Sequence, residues 1–206
     1  MALIVKRVRS MTAASCVSAS PGLMLRTGGS KYAIVRIRPS VGVLVFAFTE
    51  SVEVSAEAPR VWAVMTDVEQ WWPASNPDHM SLELLDWAPL ALGSRMRIRE
   101  RVAGIPADAT GSITEFEEGS RVTWEAAARY KLLGLPLHVQ EGVTWTIEPR
   151  SSATTRISAR VWATLPLDHL TAPLFRALGG VQKDREHART ELLYLKNVVE
   201  AEPNGS

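Results

Sequence analysis

From Thr49 onward, polar and apolar residues alternate in one run after another, and only two stretches change to a helical period. Residues 48–55 alternate and predict a first strand, which the apolar run 41–48 joins or extends. Ala58-Pro59 then puts a proline in the first turn of a helix, where its missing N–H costs nothing. Val61, Trp62, Met65 and Val68 recur at helical spacing, and the helix should end near Glu69. Trp71-Trp72-Pro73 opens an irregular segment that reaches to about His79. Strands are predicted at 80–87, 94–103, 109–117, 121–130, 137–148 and 154–165, separated by Leu92-Gly93, Gly104-Ile105-Pro106, Glu118-Gly119 and the polar run 149–152.

The period changes again at Pro173. Leu174, Leu178, Val181, Ala188, Leu192, Leu195 and Val199 follow a seven-residue repeat broken by Arg185, so one apolar face runs along a terminal helix. Continuous from 173 to Ala201, that helix would span roughly 43 Å, enough to cross a sheet. Gly179-Gly180 lies inside its first half and predicts a kink or a close backbone approach. The order of elements is α+β, a mostly antiparallel sheet with a long closing helix.

Composition changes this picture at the N-terminus. Residues 1–49 carry Lys6, Arg7, Arg9, Arg26, Lys31, Arg36 and Arg38 and no acid, so the net +1 leaves −6 (1 − 7) for the remainder. The expected organisation is a basic leader at 1–40, one domain at 41–201 and a disordered tail at 202–206. Residues 1–30 are rich in Ser, Ala, Thr and Gly and should be disordered, unless translation begins later, for example at Met24. A secretory reading, with 31–38 as the charged region and 41–48 as the apolar one, is weakened by Arg36, Arg38 and Pro39. An acidic domain argues against a nucleic-acid partner. The single cysteine, Cys16, allows no internal disulfide, and a reducing cytoplasm suits it. The eight-residue run 41–48 is too short to cross a bilayer.

Several segments carry a resemblance: "SVEVSAEAPRVWAVMTDVEQWWP", "LGSRMRIRERVAG", "GSITEFEEGSRVTWEA" and the terminal "LLYLKNVVEA". Over about residues 49–201 the chain resembles the START-like or SRPBCC superfamily of polyketide cyclases, lipid-transfer proteins and ubiquinone-binding proteins. The resemblance implies a helix-grip fold, with a curved seven-stranded antiparallel sheet holding the C-terminal helix over an apolar cavity. It carries no universal catalytic residue and no cofactor onto this chain.

Alternation assigns the candidate site. In 94–102, Arg95, Arg97, Arg99 and Arg101 point one way, and Met96, Ile98, Glu100 and Val102 the other. Likewise Glu141 falls in the apolar row Val139, Val143, Trp145 and Ile147. A carboxylate among apolar side chains has its pKa raised by desolvation and can exchange protons near neutral pH. A bulge, or a place near the sheet end, would instead leave each Glu in water. Val122, Trp124, Ala126, Ala128 and Tyr130 form another inward row, where small alanines beside aromatics either leave room for a flat guest or simply fill the core.

The run Leu132-Leu133-Gly134-Leu135-Pro136-Leu137 is an apolar loop where a polar turn is expected: a lid, a tip touching a membrane, a contact with another chain, or a segment packed on its own helix. With Trp71, Trp72 and residues 104–106 it would frame an entrance. Wall positions expected on the final helix are Leu174 and Leu178. His79, His138, His169 and His187 show no i, i+4 pairing with one another and no shared motif, which predicts no metal site.

Three functions follow from these residues. One is binding of a hydrophobic small molecule such as a lipid, polyketide or isoprenoid. Another is a cyclase or dehydratase using Glu100, Glu141 or Tyr130 for proton transfer. A third is a partner-binding module working through 132–137. A wholly apolar cavity favours carriage, whereas buried convergent carboxylates favour chemistry.

Overall fold

The computed structural model describes residues 43–86, 89–132, 134–165, 173, 175–177 and 179–201; at 43–45, 132, 135 and 165 it describes the backbone alone. The expected leader and tail lie outside the described residues. Seven strands form one antiparallel sheet: β1 (Val43–Val54), β2 (His79–Leu84), β3 (Arg95–Val102), β4 (Ile105–Glu117), β5 (Arg121–Leu132), β6 (Leu135–Pro149) and β7 (Thr155–Leu165). Their order is β1-β7-β6-β5-β4-β3-β2. The longer described helices are α1 (Ala58–Thr66), α2 (Val68–Ser75) and α3 (Gly180–Ala201). This is the expected α+β helix-grip arrangement. No helix among the described residues is long and apolar enough to cross a membrane.

Three expected elements are corrected. The irregular segment after Glu69 is largely helical: α1 stops at Thr66, and α2 runs from Val68 through Pro73. Proline inside a helix removes one backbone hydrogen bond. In an eight-residue helix that loss is outweighed by burial of Trp71 and Trp72, which are 2% and 4% exposed.

The apolar loop 132–137 is instead a hairpin tip. Strands β5 and β6 stay paired to Leu132↔Leu135, and Gly134 turns the chain at φ +84°. Leu133 lies outside the described residues, as do the side chains of Leu132 and Leu135.

The terminal helix is also shorter than expected. Gly179, at φ +70°, separates α3 from the helical residues 175–177. The 22 residues of α3 span about 33 Å rather than about 43 Å. Leu174 and Leu178 lie outside the described residues.

A smaller shift concerns the β3–β4 hairpin, whose turn is Ala103-Gly104, both at positive φ (53° and 81°), as a two-residue type I′ turn requires. Strand β4 therefore begins at Ile105 rather than Ala109.

The inner face of the sheet is layered along α3. At one end Val54, Val61, Met65, Ile113, Val122, Ile147, Ile157, Leu195 and Val199 pack into a dry core, each at most 3% exposed. Toward the other end the inward residues of α3 change character to Glu191, His187, Asp184 and Gly180. Lys196 Nζ donates to the Glu53 carbonyl and Arg185 Nε to Glu50 Oε1, each at 2.7 Å, tying α3 to β1, and just past that strand Ser55 N donates to Glu200 Oε1 at 2.7 Å.

Candidate functional site

Where the core gives way to these polar helix residues, the sheet and α3 enclose a cavity of about 150 Å³. Its wall is mostly apolar and aromatic, with Phe46, Trp72, Ile98, Trp124, Val143, Trp145, Trp162 and Phe175 among the lining side chains. Polar groups enter it from two directions: Glu100, Tyr130 and Glu141 from the sheet, and Asp184, His187 and Glu191 from α3.

The alternation in β3 holds without a bulge from Arg95 to Val102, so Ile98, Glu100 and Val102 face the cavity. Glu141 faces inward as well, because Ala126↔Glu141 and Trp124↔Val143 are register pairs on one face. The water-facing alternative for each acid is thereby removed.

Of the residues expected to line the wall, Trp72, Ile98, Trp124, Val143 and Trp145 do so. Met96 and Ala126 do not, although both are buried at 1% and 5% exposure. Met96 sits one inward position below Ile98, where the inner face is already closed core. Ala126 lies on the inner face between Gly111 and Glu141, and its single methyl falls short of the hollow. Trp72, expected at an entrance, is interior wall stacked on His79, with 3.5 Å between centroids. Trp71 takes no part and donates its indole N–H to the Met65 carbonyl at 3.1 Å.

Two polar groupings result. In the first, Tyr130 Oη donates to Glu141 Oε2 at 2.6 Å. Burial pushes the Glu141 carboxyl up to about 8 and outweighs the opposing effect of the Tyr130 hydrogen bond; the nearby Glu100 charge adds to the rise. Burial, followed by the charges of Glu141 and Glu100, holds the Tyr130 hydroxyl well above its usual value, so it stays a donor. Asp184 is pushed up to about 7 by burial and by Glu100. Near neutral pH the cavity therefore holds a protonated carboxyl at Glu141 and a half-titrated one at Asp184. Trp124 Nε1 is a buried donor with no acceptor among the described residues.

The second grouping joins His79 of β2, Glu100 of β3, and His187 and Glu191 of α3. Glu191 Oε1 lies 2.8 Å from His79 Nε2 and 3.3 Å from His187 Nε2, while Glu100 Oε2 lies 3.2 Å from His187 Nε2. Burial works against charge on His187, but hydrogen bonds to Glu100 and Glu191 outweigh it and raise the imidazole above its usual range. Burial would raise Glu191, yet hydrogen bonds from His187 and His79 hold it below the usual carboxylate range.

The sequence reading missed His79, Asp184, His187 and Glu191. No local pattern relates the histidines, yet two of them, 108 residues apart, bring their Nε2 atoms within 3.0 Å. A signal was present: Asp184, His187, Ala188, Glu191 and Leu192 share one helical face, so acids and an imidazole occupy the stripe that elsewhere is apolar. Of the other two histidines, His138 is exposed and His169 lies outside the described residues.

A family model described as polyketide cyclase / dehydrase and lipid transport matches residues 45–200. No curated protein sequence matches significantly. Among solved structures, the Zhui aromatase/cyclase from Streptomyces sp. R1128 superposes with a TM-score of 0.62 at 16% identity, covering 78% of this chain and 98% of its own. A protein from Thermus thermophilus gives 0.59 at 18% identity, covering 75% and 97%. A START superfamily protein from Mycobacterium smegmatis gives 0.54 at 16% identity, covering 74% and 98%. At such identities these likenesses establish a common fold.

Proposed function

The chain belongs to the polyketide cyclase / dehydrase and lipid transport family, and from that premise we propose that it is an acid–base catalyst of the cyclase or dehydratase type, acting on a hydrophobic guest that carries a carbonyl or hydroxyl oxygen. The observation that carries this reading is the Tyr130–Glu141 pair on the cavity wall, 2.6 Å apart and buried, with the carboxyl raised to about 8. A carrier of hydrocarbon has no use for buried acids, each of which costs desolvation. Cyclisation and dehydration of a polyketide-like chain both need a proton moved to or from a carbon or oxygen at neutral pH, where a group with a pKa near 7–8 works best.

Each group has a role in this reading. Glu141 gives its proton to a guest oxygen, or in its ionised form takes one from a carbon next to a carbonyl. Tyr130, bonded to Oε2, orients the carboxyl and leaves the proton to its other oxygen. Trp124 Nε1 offers a donor to an oxygen of the guest. The aromatic wall holds a flat ring system and excludes water, which strengthens each of these interactions.

The test uses 2-tetralone as a probe, with exchange of its α-hydrogens for deuterium followed by NMR at pH 7. Wild type should accelerate exchange above buffer, and Glu141→Gln should lose most of that acceleration while still quenching tryptophan fluorescence on binding. Binding without any acceleration in wild type would return the protein to the role of a hydrophobic-ligand carrier.

A further inference from the structure

The cluster of His79, Glu100, His187 and Glu191 is built in a way that protons alone do not explain. His79 is the best-defined member. Its side chain is fully buried, and Nδ1 lies 2.6 Å from the Trp72 carbonyl oxygen, so Nδ1 carries a proton and donates it. Stacking on Trp72 fixes the ring plane. The other nitrogen, Nε2, is thereby aimed into the cluster.

Around it the ligand atoms crowd. His79 Nε2 is 3.0 Å from His187 Nε2, 2.8 Å from Glu191 Oε1 and 3.6 Å from Glu100 Oε2. His187 Nε2 is in turn 3.2 Å from Glu100 Oε2 and 3.3 Å from Glu191 Oε1. All four atoms lie within 4.8 Å of one another.

A proton sits well on one edge of such a figure and leaves the others unserved. If both imidazoles are cations, two N–H groups face each other at 3.0 Å. If His79 is neutral, its lone pair faces the Glu191 oxygen at 2.8 Å, and if only His187 is neutral, its lone pair faces the Glu100 and Glu191 oxygens at 3.2 and 3.3 Å. With both carboxylates ionised, each of these states therefore sets at least one short contact like against like.

A single dication at the centre resolves every contact, because all four atoms then present lone pairs to it. Five of the six separations average about 3.2 Å and the sixth, Glu100 Oε2 to Glu191 Oε1, is within 4.8 Å; with the two carboxylates closed to a similar separation, the centre of the figure would lie about 2.0 Å from each atom. Bonds of zinc to histidine nitrogen and carboxylate oxygen are about 2.0–2.2 Å. Two neutral imidazoles, two carboxylates and a dication sum to zero charge, which suits a wall where Glu100 and Glu191 are only 13% and 15% exposed. The hydrogen bond from His79 Nδ1 to a backbone carbonyl is the support that metal-bound histidines usually have.

We propose that His79 Nε2, His187 Nε2 and one oxygen each of Glu100 and Glu191 form a binding site for a divalent first-row transition metal, with zinc the best fit to its N₂O₂ donor set. Glu100, His187 and Glu191 also line the cavity, so the site opens toward the guest. The inference does not depend on proton transfer at Glu141 and is read by metal binding alone.

The full chain, purified without a histidine tag, is stripped with EDTA, desalted and titrated with Co²⁺ and then Zn²⁺. One equivalent of Co²⁺ per chain should produce the intense visible bands of a four- or five-coordinate ion, and one equivalent of Zn²⁺ should bleach them. His187→Gln and Glu191→Gln should each weaken Zn²⁺ binding by about a hundredfold or more, while Glu115→Gln, on another part of the sheet, should leave it unchanged. A wild-type spectrum no different from aqueous Co²⁺ overturns the proposal, whether or not the variants fold. So does a folded Glu191→Gln protein that binds Zn²⁺ as tightly as wild type.

Discussion

Replacing Glu141 by Gln keeps the shape of the side chain and an acceptor for the Tyr130 hydroxyl, and removes only the ability to ionise. The unfolded chain titrates this carboxyl near 4.5, whereas the folded chain holds its proton to about 8. Between those values the native state binds one more proton than the unfolded state, so stability falls as pH rises, by about 1.36 kcal/mol per pH unit. The stabilising contribution of the protonated form is complete below about 4.5 and has gone above about 8. The interval from 4.5 to about 8 amounts to about 5 kcal/mol, a large part of the 5–15 kcal/mol typical of a domain (about 0.1 kcal/mol per residue).

The Gln variant has no such slope at this position. Urea denaturation of both proteins at pH 5, 7 and 9, in EDTA so that no metal at the neighbouring cluster shifts the titration, should give similar stabilities at pH 5. The variant should then lead by about 3 kcal/mol at pH 7 and about 5 kcal/mol at pH 9. Taking the difference cancels the titrating groups that do not interact with Glu141; Glu100, Asp184 and Tyr130 do interact with it and stay in the difference. Parallel stability curves from pH 5 to 9 would refute the reasoning, because they would mean that Glu141 is ionised in the native state or reaches water.

Three other outcomes follow from the packing. A Cβ at Gly142 would sit 2.7 Å from three atoms of the Trp162 indole, which also lines the cavity; Gly142→Ala should therefore lower stability by about 1–3 kcal/mol and change 2-tetralone affinity, and an unaltered melt and affinity would contradict the close approach. Leu195, fully buried among the core residues of α3, should cost about 2–5 kcal/mol in urea denaturation when changed to Ala; a loss below 1 kcal/mol would mean the core is loose there. Trp124→Phe removes a buried N–H with no acceptor among the described residues, so relief of that donor should offset part of the lost packing and keep the net cost below about 1.5 kcal/mol in the same assay; a loss of about 3 kcal/mol or more would show that the N–H is paired.

The sequence alone determined what depends on short-range periodicity. Two-residue alternation identified the six strands from β2 to β7 and the core of β1, and in β3 it assigned Glu100 and the four arginines to opposite faces, because a pleated strand without a bulge must alternate. The same rule put Glu141 and Tyr130 on the inner face. Periodicity also located α1 and the terminal helix.

Tertiary structure decided everything that depends on which distant residues meet. Burial of two tryptophans, outweighing the cost of Pro73, converted an expected loop into α2. That helix ends shortly before His79, and the Trp72 carbonyl and ring orient the imidazole. Lengths of strand and helix then set how far α3 slides along the sheet, and so which of its residues oppose Glu100. His79 and His187 are 108 positions apart, a separation to which no local pattern refers; only the antiparallel register of β2 on β3, with α3 packed across it, brings the four clustered side chains to one point. The Tyr130–Glu141 pair was thus legible as two inward residues, while the neighbouring cluster was not, because closure of a sheet around a helix is a long-range event.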